Sequence, residues 1–388
     1  MQLFDPSDPR TLRPWLIGHL CPFWLARIRD PAGGFLEALD ALGMPVASQR
    51  RNTLTQARLA YVFSHAYLLS GDPALHEAAR HGVAFLMRAA RAPDGGWFRA
   101  VSVDGAPLDN TRDAYDQAFV LLALAWYHRA TKDVSAIQLA DATWAAMVER
   151  LSDRRHGGFF EEFAPGRTGL KLPRRQNPHM HLLEALLALH VATAEKNWLR
   201  RAGALIDLFR QRFVDPQTGA VIEFFSADWC PAAASGAQRE PGHQFEWVWL
   251  LYQYYRLTRD ASVIPDAERL FAFGSRYGIE RDGRLSGAVL DVVNADGRIV
   301  ADTKLLWPQT EYLKACVARA EWHDDAAARA AITRHLALIA RSYLRPDGAN
   351  WHNQLARDGT PLTPETPARV LYHLFLGVAE ADRLLNNP

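Results

Sequence analysis

Glycine-centred turns recur along this 388-residue chain at an almost constant interval, and that interval constrains the fold more than any other feature. They are Ala32-Gly33-Gly34-Phe35, Asp94-Gly95-Gly96-Trp97, His156-Gly157-Gly158-Phe159, Thr218-Gly219-Ala220-Val221, Asp282-Gly283-Arg284-Leu285 and Asp347-Gly348-Ala349-Asn350. Taking the residue after the first glycine as marker gives 34, 96, 158, 220, 284 and 349, so successive differences are 62, 62, 62, 64 and 65. A period of that length marks one structural unit used six times. Between markers, apolar residues fall at three- and four-residue steps, as in Leu182, Leu183, Leu186 and Leu187, with few internal glycines or prolines. This is helical periodicity. It predicts twelve helices, near 12–29, 54–69, 74–90, 114–131, 136–151, 181–195, 198–213, 244–258, 263–277, 309–322, 326–343 and 368–385, two per repeat.

Six helical hairpins that fill the chain and leave no polar capping repeat are expected to close into a ring. The expected fold is therefore all-α, one domain over 1–388. The helix after each glycine turn is the more apolar one, as in Phe245-Glu246-Trp247-Val248-Trp249-Leu250-Leu251-Tyr252, and should form the inner layer. The glycine turns should make short β-hairpins at one rim, because glycine permits the positive φ such turns need.

Lysine and arginine total 44 against 43 acidic residues, so no net field gathers nucleic acid or an anionic membrane. The longest apolar runs, such as 118–127, are too short to cross a bilayer, and the start shows no secretory signal, so a cytoplasmic protein is expected. Cys21, Cys230 and Cys316 lie far apart without metal-finger spacing, and no HExxH, GxxxxGK or GxGxxG motif is present. Neither metal nor organic cofactor is expected. The partner is a small molecule, and a monomer and a homodimer are equally compatible with the chain.

The repeat also serves as a ruler. Adding 23 or 24 to each marker gives Arg58, Phe119, His181, His243, Trp307 and His373, all near the starts of inner helices. Three histidines, an arginine and a tryptophan at one height are a poor composition for an inert core. In a ring they would face one mouth. Neighbouring polar residues reinforce the pattern: Tyr115 with Asp113, Asp116 and Gln117; Asn177 and His179; Glu246; and Lys304, Gln309 and Glu311. His243 and Glu246, at i and i+3, share a helix face, as do Asn177 and His181 at i and i+4. Asp113 and Asp116 are the candidate carboxylate pair for an alternative, glycoside hydrolysis. The remaining alternative is a non-catalytic sugar-binding protein. His65, His76, His81, His128, His323 and His335 read as core or surface residues.

The chain resembles the N-acylglucosamine 2-epimerase superfamily over nearly its whole length. The resemblance rests on Gln56-Ala57-Arg58-Leu59-Ala60-Tyr61, Asp113-Ala114-Tyr115-Asp116-Gln117-Ala118-Phe119, Asn177-Pro178-His179-Met180-His181-Leu182-Leu183-Glu184-Ala185, Pro241-Gly242-His243-Gln244-Phe245-Glu246-Trp247, Trp307-Pro308-Gln309-Thr310-Glu311 and Tyr372-His373. It implies an (α/α)6 barrel with His243 and His373 as catalytic histidines, and Glu246 is expected to join them by holding or tuning His243 from the same helix face. It also implies that Arg58, Tyr115, Asn177, His181 and Trp307 hold a sugar, and Gln309 and Glu311 stand with them as candidate binding residues. After His373 the apolar Leu374-Phe375-Leu376-Gly377 departs from the epimerase pattern and favours the free-monosaccharide isomerases.

Converting an aldose such as mannose to its 2-ketose, here fructose, moves a proton from C2 to C1 through a cis-enediol. Imidazoles titrate near neutral pH and suit both directions of transfer. Epimerisation at C2 uses the same intermediate, so these motifs do not separate the two reactions.

Overall fold

A helix that is apolar on every side must be surrounded by protein, whereas one with a single apolar stripe can face water. The chain alternates the two kinds. The computed structural model describes residues 4–166 and 171–386. The helices are α1 (12–28), α2 (Thr53–Ser70), α3 (73–90), α4 (Ala114–Thr131), α5 (Val134–Leu151), α6 (Asn177–Thr193), α7 (196–213), α8 (Pro241–Thr258), α9 (Ile264–Tyr277), α10 (Leu306–His323), α11 (Ala326–Ser342) and α12 (Leu371–Asn386). Even-numbered helices bury nearly every side chain in their first three turns and form the inner ring. Odd-numbered ones expose one face and wrap it. The result is the expected (α/α)6 barrel.

Each inner helix runs into its outer partner by the same device. Gly71, Lys132, Ala194, Arg259 and Asp324 take left-handed φ of 71°, 62°, 61°, 60° and 50° and end α2, α4, α6, α8 and α10. The next residue is acidic. Asp72, Asp133, Asp260 and Asp325 each accept a backbone N–H of the following turn, which satisfies one orphan donor of the new helix.

At the other rim each glycine turn is closed by one antiparallel bridge, for example Arg29 to Phe35 and Arg91 to Trp97. The longer ladders run between neighbouring repeats. Arg50–Asn52 pairs with Ala100–Ser102, Arg112–Asp113 with Glu162–Phe163, and Arg174–Arg175 with Phe224–Phe225. Gln238–Arg239 pairs with Val292–Asn294, and Lys304–Leu305 with Gln354–Leu355. The sixth ladder, Ala38 opposite Pro367 and Leu39 opposite Thr366, joins the last repeat to the first. Hydrogen bonds therefore close the ring. The rim hairpins expected from the glycine turns shrink to single bridges, because the strands that follow spend their hydrogen bonds on the preceding repeat.

Three inner helices begin earlier than periodicity predicts: α6 at Asn177, α8 at Pro241 and α10 at Leu306. Pro178, Pro241 and Pro308 occupy first turns, where a missing N–H costs nothing. This extension carries Asn177 and His181 onto consecutive turns of one helix.

Candidate active site

Because all six inner helices run the same way, their first turns meet at the rim that carries the ladders. There they enclose a cavity of about 340 Å³. Arg58 reaches it from α2, Tyr115 from α4, Asn177 and His181 from α6, His243 and Glu246 from α8, and Trp307 from α10; His373 completes it from α12. Eight of the ten residues expected to form the site thus line one space. Gln309 and Glu311 do not line it.

His243 is held on both ring nitrogens. Its Nδ1 lies 2.8 Å from Glu223 Oε2 and 3.4 Å from Glu240 Oε2. Burial works against its charge, but the carboxylates of Glu223 and Glu240 outweigh burial and raise its pKa to about 10. His243 is therefore an imidazolium at neutral pH. Asn177 sits 3.1 Å from Nε2, and a protonated ring there calls for the amide oxygen, which otherwise has no partner.

His373 is the opposite case. Its Nδ1 is 2.8 Å from Glu311 Oε1. Burial, then the nearby charges of Arg58 and Lys314, drives its pKa well below the ordinary histidine value. The neutral ring donates Nδ1–H to Glu311 and leaves the Nε2 lone pair for the cavity. Trp307 stands between the two imidazoles, its ring centroid 4.9 Å from His243 and 5.8 Å from His373.

Beneath His373, Lys314 Nζ lies 2.6 Å from Glu311 Oε2 and 3.9 Å from Glu246 Oε1, all three side chains buried. Burial and then the charge of Glu311 push the Glu246 carboxyl well above its ordinary range. A carboxyl biased toward its protonated form at the cavity wall, with Oε2 unpartnered among the described residues, can donate a hydrogen bond to a hydroxyl. His181 shares this floor. It rests 3.1 Å from Glu184 Oε2 and 3.8 Å from Glu246 Oε1, and burial lowers its pKa to about 4.

Arg58 donates to Tyr115 Oη at 2.7 Å and to the Arg369 carbonyl at 3.3 Å, while its guanidinium lies 4.1 Å from the Phe119 ring centre. Among the described residues its Nε is buried without a partner.

The geometry reassigns several residues. Glu246 does not hold His243; Glu223 and Glu240 do, because Glu246 lies one helical turn deeper against His181 and Lys314. Glu311 orients His373 from behind. Gln309 is fully buried and spends its amide on Val289, accepting from its N–H at 2.8 Å and donating to its carbonyl at 2.9 Å, with a further bond to the Leu305 carbonyl. The same clamp recurs at Gln56 on Phe35, Gln117 on Trp97 and Gln244 on Val221, and His179 Nε2 accepts from the Phe159 N–H. Gln56 explains one glycine: a Cβ on Gly34 would lie 2.7 Å from its Oε1. Asp113 caps α4 and binds Arg99, and neither it nor Asp116 lines the cavity.

Glu223, Glu240, Glu184, Lys314 and Arg175 were not singled out from the sequence. A signal existed for the first. An offset of three from the markers gives Glu37, Glu161 and Glu223, and each receives a backbone N–H from the strand or helix start that follows. Two acidic triads, Glu223/Glu240/His243 and Glu246/Glu311/His373, have spacing that suits a cation. In the first the imidazolium supplies positive charge, and in the second Lys314 does.

A sequence model of the family described as N-acylglucosamine 2-epimerase (GlcNAc 2-epimerase) matches residues 33–377. The chain is 32% identical over 384 residues to mannose-6-phosphate isomerase of Rhizobium meliloti (strain 1021), covering 96% of each. It is 27% identical to D-mannose isomerase of Pseudomonas cannabina pv. alisalensis, covering 80% of each chain. Among solved structures, cellobiose 2-epimerase from Spirochaeta thermophila DSM 6192 superposes with a TM-score of 0.86 at 26% identity, covering 97% of this chain and 96% of that one.

Proposed function

The chain belongs to the N-acylglucosamine 2-epimerase family, and on that premise we propose that it is an aldose–ketose isomerase interconverting D-mannose, or a closely related aldose, and D-fructose. At the coarser level it is an enzyme of the isomerase class, a sugar isomerase or sugar 2-epimerase. The opposed protonation of two imidazoles on one cavity, His373 neutral and His243 charged, supports the acid–base chemistry, and the likeness to mannose isomerases over most of the chain favours the ketose as product. Environments that push two titratable groups apart assign the base and the acid.

In the open-chain aldose, His373 Nε2 takes the C2 proton and becomes charged. The C–H electron pair forms the C1=C2 bond as the carbonyl pair moves to O1, and O1 receives a proton from His243. The product is the cis-enediol. His243, now neutral, then removes the O2 proton, and His373 returns its proton to C1, giving the ketose with both histidines restored. No electron leaves the sugar. Arg58 and the neutral Glu246 acid offer hydrogen bonds to the oxygens on which charge develops. Asn177 and Trp307 orient the chain of carbons between the imidazoles.

A second reading, for a phosphorylated aldose, is favoured by Arg369. Its exposed side chain lines the mouth without a salt bridge among the described residues. The Rhizobium meliloti relative carries a 6-phosphate sugar in its name. Incubating the protein with mannose, mannose 6-phosphate, glucose and cellobiose and resolving the products by chromatography separates the readings. Ketose from mannose supports the isomerase. Glucose from mannose with no fructose, or a C2 epimer from cellobiose alone, overturns it, and turnover confined to the phosphate ester moves the assignment to the second reading.

A further inference from the structure

The last turns of the inner helices also meet, at the opposite end of the barrel. They enclose a second cavity of about 430 Å³, within the range of small-molecule sites. Its walls carry the indoles of Trp126 and Trp249 and the leucines of five inner helices. Two guanidiniums, Arg129 from α4 and Arg256 from α8, stand on this wall. Neither makes a salt bridge or hydrogen bond among the described residues, and the Arg129 guanidinium lies 4.0 Å over the Trp126 ring. Helix C-termini favour cations in their last turn. That preference and the indole face together leave the guanidinium N–H groups of Arg129 without an acceptor among the described residues, at the wall of a cavity where an anion would supply one.

The acids of this cavity are already committed. Glu380 is bound by Arg383 at 3.1 Å and by Trp249 Nε1 at 3.2 Å, and Arg383 is shared with Glu321 at 2.7 Å. Glu184 receives the Tyr372 hydroxyl at 2.6 Å and faces His181 at 3.1 Å. Glu184 thus forms a partition: it lines the second cavity while holding His181, which lines the first, and Tyr372, which packs against His373.

We propose that this cavity binds an amphipathic organic anion, its single carboxylate or phosphate between Arg129 and Arg256 and its apolar or aromatic body against Trp126 and Trp249. Occupancy acts on the first cavity through Glu184, which adjusts the positions of His181 and Tyr372. Binding stands apart from the sugar chemistry, so calorimetry reads it whatever reaction the first cavity performs.

Indole-3-acetate and phenyl phosphate serve as probes on the full chain, with indole-3-acetamide as the neutral control. The expected result is saturable binding of an anionic probe, quenching of tryptophan fluorescence, and at least tenfold weaker binding of the amide. Arg129→Gln should weaken anion binding at least tenfold with the circular dichroism spectrum unchanged. Arg256→Gln, at an exposed position, should do the same. Absence of binding by both anions at millimolar concentration, or equal binding by the two variants and the parent protein, overturns the site. Competition between probe and sugar removed by excess sugar places the probe in the first cavity and overturns it as well. Unchanged kcat and KM at probe saturation overturns the coupling through Glu184.

Discussion

His243 and His373 face one cavity from α8 and α12 with Trp307 between them, and their surroundings drive them to opposite charge states. Two carboxylates reach His243 at Nδ1; one carboxylate, already neutralised by Lys314, reaches His373. The same side chain thus supplies an acid in one place and a base in another. Replacing either by asparagine keeps a polar group of similar size but removes proton transfer. Each single variant is expected to lower kcat by roughly two to four orders of magnitude with a much smaller change in KM. Parental turnover in either variant would remove that histidine from the mechanism.

The pH profile follows from the two displacements. His243 must be protonated, so kcat/KM should hold steady through neutral pH and fall as the pH rises through about 10. His373 must be neutral, and its lowered pKa puts the acid-side fall well below the ordinary histidine range. Glu223→Gln removes the negative charge that raises His243, so the alkaline limb should move down by about one pH unit or more. An alkaline limb unmoved in Glu223→Gln would show that Glu223 only packs against the ring.

Arg58 is 3% exposed yet keeps an unpartnered Nε beside the cavity, which suits a group held for an anionic intermediate. Arg58→Met keeps an unbranched apolar side chain and removes the charge that lies over Phe119. It should lower kcat/KM by about a hundredfold, the order seen for a lost oxyanion partner, with a near-parental thermal midpoint. Loss of folding in this variant would make Arg58 structural.

Gln309 gives the contrasting case. Gln309→Leu strands the buried N–H and carbonyl of Val289, and each stranded group costs about 1–3 kcal/mol, so unfolding free energy measured in denaturant should fall by about 2–6 kcal/mol. KM should hardly change in the protein that remains folded. A raised KM with parental stability would return Gln309 to the sugar.

Local chemistry was enough for much of the barrel. A marker every 62 to 65 residues, two helical patterns between markers and one apolar helix per pair specify six hairpins, because period and burial are properties of neighbouring residues. The same ruler brought Arg58, His181, His243, Trp307 and His373 to one height, since equivalent positions in a ring are equivalent in space. Which carboxylate serves which imidazole was decided only by tertiary structure. Glu223 reaches His243 from 20 residues upstream, carried there by a strand that pairs with the previous repeat, and Glu311 reaches His373 across 62 residues from the neighbouring helix. Glu246, three residues from His243 and nearest by helical spacing, instead turns down to His181 and Lys314. Charge states depend on burial and on such distant partners, and neither is a property of a segment, so the acid and the base emerge only once the ring is closed.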